Sequence, residues 1–352
     1  MTAMATPDRL KELSDDALQS YLLEGVSRTF ALTIPQLPDG LYRPVANAYL
    51  LCRIVDTIED EAELDLAAKK RFCRDFSAVV RGKQSPEALR DALAPRLSDK
   101  TLPQEHELIA VLPRVIAITH ALDPGQQEAL ARCVDIMAEG MAEFQALDLS
   151  KGLARLEDHN RYCYVVAGVV GEMLTQLFCH YSKIIEASEK PLMSLAVSFG
   201  QGLQMTNILK DLWDDHERGV CWLPQEVFDR HGGFPLQSLK PGQNDPRFIE
   251  GFRELIGIAH GHLKNALAYT LTLPREEKGM REFCLWALGM AILTLRKISR
   301  HPNFSASKEV KISRNAVKTT ILTSRLLRGS DRGLRLAFRL AGRGVPLIEQ
   351  AA

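Results

Sequence analysis

The chain has 352 residues, 46% hydrophobic and 25% charged, with 44 basic against 44 acidic side chains. That balance is ordinary for a globular protein and argues against a general nucleic-acid binder, which would present a net basic surface. The length fits one large or two small domains.

The N-terminal stretch MTAMATPDRLKELSDD lacks the apolar core of a signal peptide. Seven cysteines are scattered without a C-x-x-C pair, which fits free, mostly buried thiols in a reducing compartment. In chain order, Ser14 to Gly25 reads as a helix with Ser14 as its N-cap and Gly25 as its terminator. Pro35 and Pro38-Asp39-Gly40 make a turn. Helical periodicity then runs over 41–62, 66–81, 104–122, 125–147, 161–182, 188–216, 247–271 and 279–299. Loops are expected at 95–103, 148–153 and 230–247. No run of alternating strands, fixed-period repeat or low-complexity linker is present. The expected architecture is all-α, a single domain over 1–352 of roughly ten helices, with its core at about 14–330 and a tail at about 331–352.

The longest uncharged run, Pro191 to Leu209, contains Ser, Gln, Gly, Thr and Asn, so no membrane span is expected there. The terminal GRGVPLIEQAA is too short and mixed to span. A cytoplasmic protein without a transmembrane anchor is expected, with peripheral membrane contact left open.

Residues 49–61, YLLCRIVDTIEDE, invert the pattern of a surface helix. At about 100° per residue, Tyr49, Arg53, Asp56 and Asp60 fall within roughly 60° of one another, while Leu50, Leu51, Ile54, Val55 and Ile58 take most of the remaining circumference. Residues 200–224, GQGLQMTNILKDLWDDHERGVCWLP, repeat the device. Gln204, Asn207, Asp211 and Asp215 share one face at spacings of three and four, and Met205, Ile208, Leu209, Leu212 and Trp213 lie round the rest.

Carboxylates crowded in a low-dielectric cavity raise one another's pKa unless cations neutralise them. Hard divalent ions suit such a set, Mg²⁺ above all where substrate phosphates complete the shell. No histidine lies three residues after a Glu, so the di-iron bundle signature is missing, and zinc lacks its Cys/His cluster. Two plainer readings stand beside this one. Arg53 and Asp56 can form an ordinary intrahelical ion pair, and the acidic lines of a non-catalytic helical scaffold can bind a basic partner; the scaffold requires both lines to face solvent.

With SRTF at 27–30, YCYVVAGVVGEMLTQLF at 162–178 and LQMTNILKDLWDDHERGVCWLPQEVF at 203–228, the chain resembles the squalene/phytoene synthase family over about residues 20–230. Within it, YCYVVAGVVG, WLPQEVF, FCLWALGMAILTL and VKISR at 310–314 are similar to the squalene synthase branch. The resemblance implies a single α-helical barrel of the class I isoprenoid synthase type. It also implies head-to-head condensation of two farnesyl diphosphates through presqualene diphosphate, followed by reduction with NADPH. Without the reductive step the product would be dehydrosqualene, hydroxysqualene or, from longer substrates, phytoene. A hydrolytic or cyclising terpene synthase would carry an N-S-E type second motif, which NILKDLWDD lacks.

By the same resemblance, Asp56, Glu59 and Asp60 bind Mg²⁺ (or Mn²⁺), with Asp211 and Asp215 facing them. Ser27, Arg28 and Arg53 hold diphosphate oxygens, and Arg28 and Arg53 also approach the cofactor's phosphates. Tyr49, Gln204 and Asn207 line the cavity. Phe30, Val166 and Gly171 border the prenyl tunnel, the small residues of VVAGVVG leaving room for the chain. Tyr162 assists proton removal and diphosphate departure, with Tyr164 as its competitor. The cofactor patch is partly kept: Lys311 matches, Lys210 stands where arginine is common, and Ser313 occupies a usually basic position beside Arg314. Ala287 replaces an expected proline.

Overall fold

The computed structural model describes residue 10, residues 12–27 and residues 29–351. Helices supply its regular structure; the one β-bridge among the described residues joins Leu153 to Pro224. The first long helix, α1 (Asp15–Val26), is capped by Ser14, whose hydroxyl accepts from the Ala17 N–H at 3.3 Å. It ends at Ser27 rather than at Gly25. A Cβ on Gly25 would lie 2.9 Å from the Gln104 side chain, so the glycine answers to a close approach.

Then follow α2 (Asp39–Asp60), α3 (Leu66–Val80) and α4 (Pro86–Leu93). The expected helix over 104–122 is two, α5 (Pro103–Ala110) and α6 (Leu112–His120). The break falls at Val111, because Pro113 has no N–H to donate to the preceding turn and clashes with its carbonyl. After α7 (Pro124–Phe144), the run expected at 161–182 is α8 (Leu156–Cys163), a π-turn at Tyr164–Gly168 and α9 (Val169–Tyr181). The stretch Leu156–Tyr181 is long and apolar enough to cross a membrane by length and composition, but 56% of its most apolar window is buried within the protein.

The region expected as one helix at 188–216 divides at Asp211 into α10 (Glu189–Lys210) and α11 (Leu212–Glu217). Next come α12 (Gln225–Arg230), α13 (Pro246–Thr272) and α14 (Lys278–Arg300). The chain closes with α15 (Arg314–Leu327) and α16 (Asp331–Ala341). Neither α15 nor α16 was expected, because their sequences are too polar to show a core-facing stripe.

The residues group into two compact units, one running up to Ala146 with Met173–Glu186, the other Leu147–Glu172 with Ala187 onward. In the first unit α2 is central and touches α1, α3, α5, α6 and α7. Leu50, Leu51, Ile54, Val55 and Ile58 are fully buried there, each contributing about 1.5–3 kcal/mol on removal from water. The buried Asn47 amide would be costly without partners. It donates to the Thr119 hydroxyl at 2.6 Å and accepts from Gln19 at 3.2 Å, tying α1, α2 and α6 together.

In the second unit α10 lies against α13, α8, α14 and the π-turn. Their backbones meet so closely that a Cβ on Gly171 would sit 2.1 Å from the Ala196 carbonyl oxygen, and one on Gly200 2.0 Å from that of Ala167. The space left by these glycines is filled by the neighbouring helix, so Gly171 is accounted for by packing.

Candidate active site

In the first unit the inverted pattern of α2 holds in three dimensions. Its apolar circumference is buried, while Tyr49, Arg53, Asp56 and Glu59 are half-buried and Asp60 is exposed. The segment after α1 lies against this polar line. The Val26 carbonyl accepts from the Tyr49 hydroxyl at 3.3 Å and from Arg53 at 3.5 Å. Ser27 accepts from the Phe30 N–H at 2.9 Å, and the Phe30 and Tyr49 rings stand 5.2 Å apart. Burial pushes the Tyr49 phenol up, against a hydrogen bond with Ser27. Ser27, Phe30, Tyr49 and Arg53 are thus brought together, and Arg28 lies outside the described residues.

The plain Arg53–Asp56 ion pair expected from the spacing is present but long, at 3.7 Å. The nearer partner of Arg53 is Glu105 at 3.1 Å, a residue with no local sequence signal because α5 delivers it across 52 positions. Asp56 keeps 30% of its side-chain surface accessible, yet dense protein surrounds the rest. Burial lifts its carboxyl to about 7; Arg53 opposes the rise, and Asp60 and Glu105 add to it. Glu59 is pushed well above the usual range by burial and by Asp60 and Asp56, with Lys69 opposing.

Glu61, the last acid of the stretch, does different work. Burial would raise it, but bonds from the Thr101 hydroxyl and the Glu63 and Ser98 N–H groups outweigh that and hold it at about 2. It fixes the end of α2 to the loop before α5.

In the second unit the acidic line straddles the break at Asp211, whose backbone leaves helical geometry (φ −94°, ψ 12°). Asp211 meets the Lys210 ammonium at 3.1 Å, and the same ammonium donates to Asn207 at 3.2 Å. Asp215 is 7% exposed and accepts from Arg218. Gln204 is half-buried and Asn207 exposed. A scaffold that offers both lines to solvent does not fit Asp215 or Asp56.

Tyr162 is buried, its ring stacked on Trp222 with centroids 3.6 Å apart and planes 9° from parallel. Trp222 carried no signal as a partner in the sequence. Tyr164 opens the π-turn and donates to Glu172 at 3.3 Å; Val166, within that turn, is half-buried. π-Turns gather at functional sites.

The Trp213 indole donates to the Phe304 carbonyl at 2.7 Å, and the short helix Ser307–Val310 packs on α11. This brings the segment leading to Lys311 beside the second acidic line. Lys311 and Arg314 are exposed and have no carboxylate partner among the described residues. Ser313, at the usually basic position, is the N-cap of α15 and accepts from the Ala316 N–H at 3.2 Å.

Among the described residues no three His, Cys, Asp or Glu side chains are close enough to form a complete metal site. The donor chemistry still fits a hard cation. Asp56 and Glu59 are carboxylates lifted by burial and by neighbouring carboxylates, Asp60 in both cases, a state that a divalent ion relieves and phosphate oxygens complete. The exposed cations Lys311 and Arg314 fit the phosphates of a dinucleotide, whereas Lys210 is engaged by Asp211.

The family model for squalene/phytoene synthase matches residues 23–316. The squalene synthase of Cyberlindnera jadinii is 29% identical over 329 residues, covering 93% of this chain and 71% of that protein. The squalene synthase of Candida albicans is 30% identical over 314 residues, covering 88% and 67%. Among solved structures, TcSQS with a bound ligand superposes with a TM-score of 0.70 at 20% identity, over 94% of this chain and 98% of that one. A dehydrosqualene synthase in complex with ligand gives 0.63 at 20% identity, over 90% and 97%. These likenesses show an all-α fold of the isoprenoid synthase type.

Proposed function

The chain belongs to the squalene/phytoene synthase family of transferases, and on that premise we propose that it joins two farnesyl diphosphates head to head, through presqualene diphosphate, and reduces the product to squalene. The observation that carries the reading is the pair of acidic lines, Asp56–Asp60 and Asp211–Asp215. Each sets its carboxylates beside buried apolar side chains within the matched region.

Asp56, Glu59 and Asp60 on one line and Asp211 and Asp215 on the other are the ligands for Mg²⁺, with Mn²⁺ as a substitute. Bound Mg²⁺ supplies the positive charge that stabilises a departing diphosphate. Arg53 and Ser27 orient diphosphate oxygens, arginine's fork suiting phosphate. Arg28 is assigned the same role from the sequence alone. Phe30 and Tyr49 form an aromatic wall beside them, Gln204 and Asn207 extend the polar line of α10, and Val166 contributes an apolar side chain to the substrate surface. Tyr162, its ring held flat by Trp222, carries the phenol that accepts or returns a proton as the diphosphate leaves. The buried apolar faces of α2 and α10 exclude water, which would otherwise capture an allylic cation.

Lys311 and Arg314, with Lys210 once it is released from Asp211, hold the cofactor's phosphates. NADPH supplies the hydride of the reductive step. The assignment is tested by measuring Mg²⁺-dependent consumption of farnesyl diphosphate in Asp56→Ala and Asp211→Ala. Each change is expected to lower turnover by at least about 100-fold; near-normal turnover in either one refutes the site.

A further inference from the structure

Apart from Arg314, the last two long helices carry an arrangement that the proposed chemistry does not use. Between Arg314 and Arg343 the sequence has eight basic residues and one acidic residue, Asp331, in a chain whose formal charge is zero. Arg325 and Arg328 pair with the buried Glu282, and Asp331 is held by Arg275 and Arg281. Arg314, Lys318, Arg332, Arg335, Arg339 and Arg343 have no carboxylate partner among the described residues.

Among these cations stand two leucine pairs at helical spacing. Leu322 and Leu326 on α15 are 60% and 75% exposed, and Leu336 and Leu340 on α16 are 53% and 56% exposed. At about 100° per residue, the α15 pair shares its outward arc with Lys318, and the α16 pair with Arg332, Arg335 and Arg339; Arg325 instead turns to Glu282 and the Trp286 ring. Thr320, Ser324 and Leu334 turn inward. The two helices touch each other and both lie on α14, so both leucine faces look away from the same support.

Single exposed leucines are ordinary, but four of them bordered by cations are not. The combination decides the partner. A second copy would bring like charge against like, and a nucleic acid has no use for leucines. Acyl chains take up the leucines, while anionic headgroups meet arginines whose apolar stems lie along the boundary. We propose that the outward faces of α15 and α16 form a docking surface for an anionic lipid bilayer. The proposal rests on this surface and not on the reaction assigned above.

The test is co-sedimentation of the purified full chain with vesicles of phosphatidylcholine alone and of phosphatidylcholine mixed with phosphatidylglycerol. Binding to the mixed vesicles, weak binding to the neutral ones and release by salt are expected. The double variant Arg335→Gln/Arg339→Gln weakens partition by about 25-fold, roughly fivefold per cation. Leu326→Ser/Leu340→Ser weakens it by at least about tenfold. Both variants keep the parent's melting temperature and its turnover in vesicle-free buffer. Equal binding to the two vesicle types, no binding, or unchanged binding in both variants overturns the proposal. So does light scattering that shows a dimer dissolved by the leucine changes, which would assign the face to a second copy.

Discussion

Tyr162 lies flat on Trp222, ring centroids 3.6 Å apart, while the Trp222 carbonyl accepts from the His159 imidazole at 2.8 Å. The tyrosine therefore owes its orientation to a residue sixty positions away. Tyr162→Phe is expected to lower turnover by about 10²–10⁴-fold without lowering the melting temperature. Trp222→Phe, which keeps an aromatic platform, should cost less than about tenfold in kcat. Steady-state kinetics on both variants decides this; an unchanged rate in Tyr162→Phe moves the role to Tyr164.

Asp56 and Glu61 should respond to neutralisation with opposite signs. Burial raises Asp56 to about 7, above its unfolded value, so its contribution to stability is present at acid pH and lost as pH rises through 7. Asp56→Asn should raise the melting temperature of the metal-free protein at pH 8, make no difference below about pH 4, and abolish activity. Glu61 is held at about 2, so its contribution is present above the unfolded value and lost as pH falls from about 4.5 to 2. Glu61→Gln should lower stability by about 1–3 kcal/mol at pH 7, because buried donors lose a charged acceptor. Thermal melts across pH check both signs.

Two buried imidazoles set an acid limit. His159 and His262 are pushed down to about 4, by burial foremost in each. A histidine with a depressed folded pKa contributes stability that is full above its unfolded value and lost as pH falls from about 6.5 to 4. Each accounts for up to roughly 3 kcal/mol over that window. His262 bonds the Ser198 hydroxyl at 2.7 Å, and His262→Gln should flatten the acid limb of the stability profile measured by denaturant titration.

Gly200→Ala should be disruptive although alanine is the better helix former. Its Cβ would lie 2.0 Å from the Ala167 carbonyl oxygen, which belongs to backbone and cannot swing aside. A loss of about 1–3 kcal/mol in chemical denaturation is expected, and Gly171→Ala should behave alike.

Much of this was legible in the sequence wherever period and local chemistry agreed. The single charged stripe of α2 betrayed an otherwise buried helix, and Ser14 announced the cap of α1. The same rules failed where tertiary contacts decide. Pro113 sits at the start of its own helix, so a pattern read across it merged α5 with α6. The break at Asp211 and the π-turn at Tyr164 leave the apolar spacing almost intact. Glu105 and Trp222 became site residues only through contacts that periodicity does not encode, whereas Arg218 follows Asp215 at the i,i+3 spacing that periodicity does carry. The glycines of VVAGVVG looked like room for a substrate, and a neighbouring helix occupies that room at Gly171. The stripe that marks α15 and α16 faces outward, so no core signal revealed them.

The central claim is tested most directly by the product. Purified protein is incubated with farnesyl diphosphate and Mg²⁺, with and without NADPH, and the prenyl products are separated by chromatography. Squalene that forms only when NADPH is present, with presqualene diphosphate accumulating in its absence, is the expected result. A product profile unchanged by NADPH contradicts the reductive step, and no consumption of farnesyl diphosphate contradicts the whole assignment.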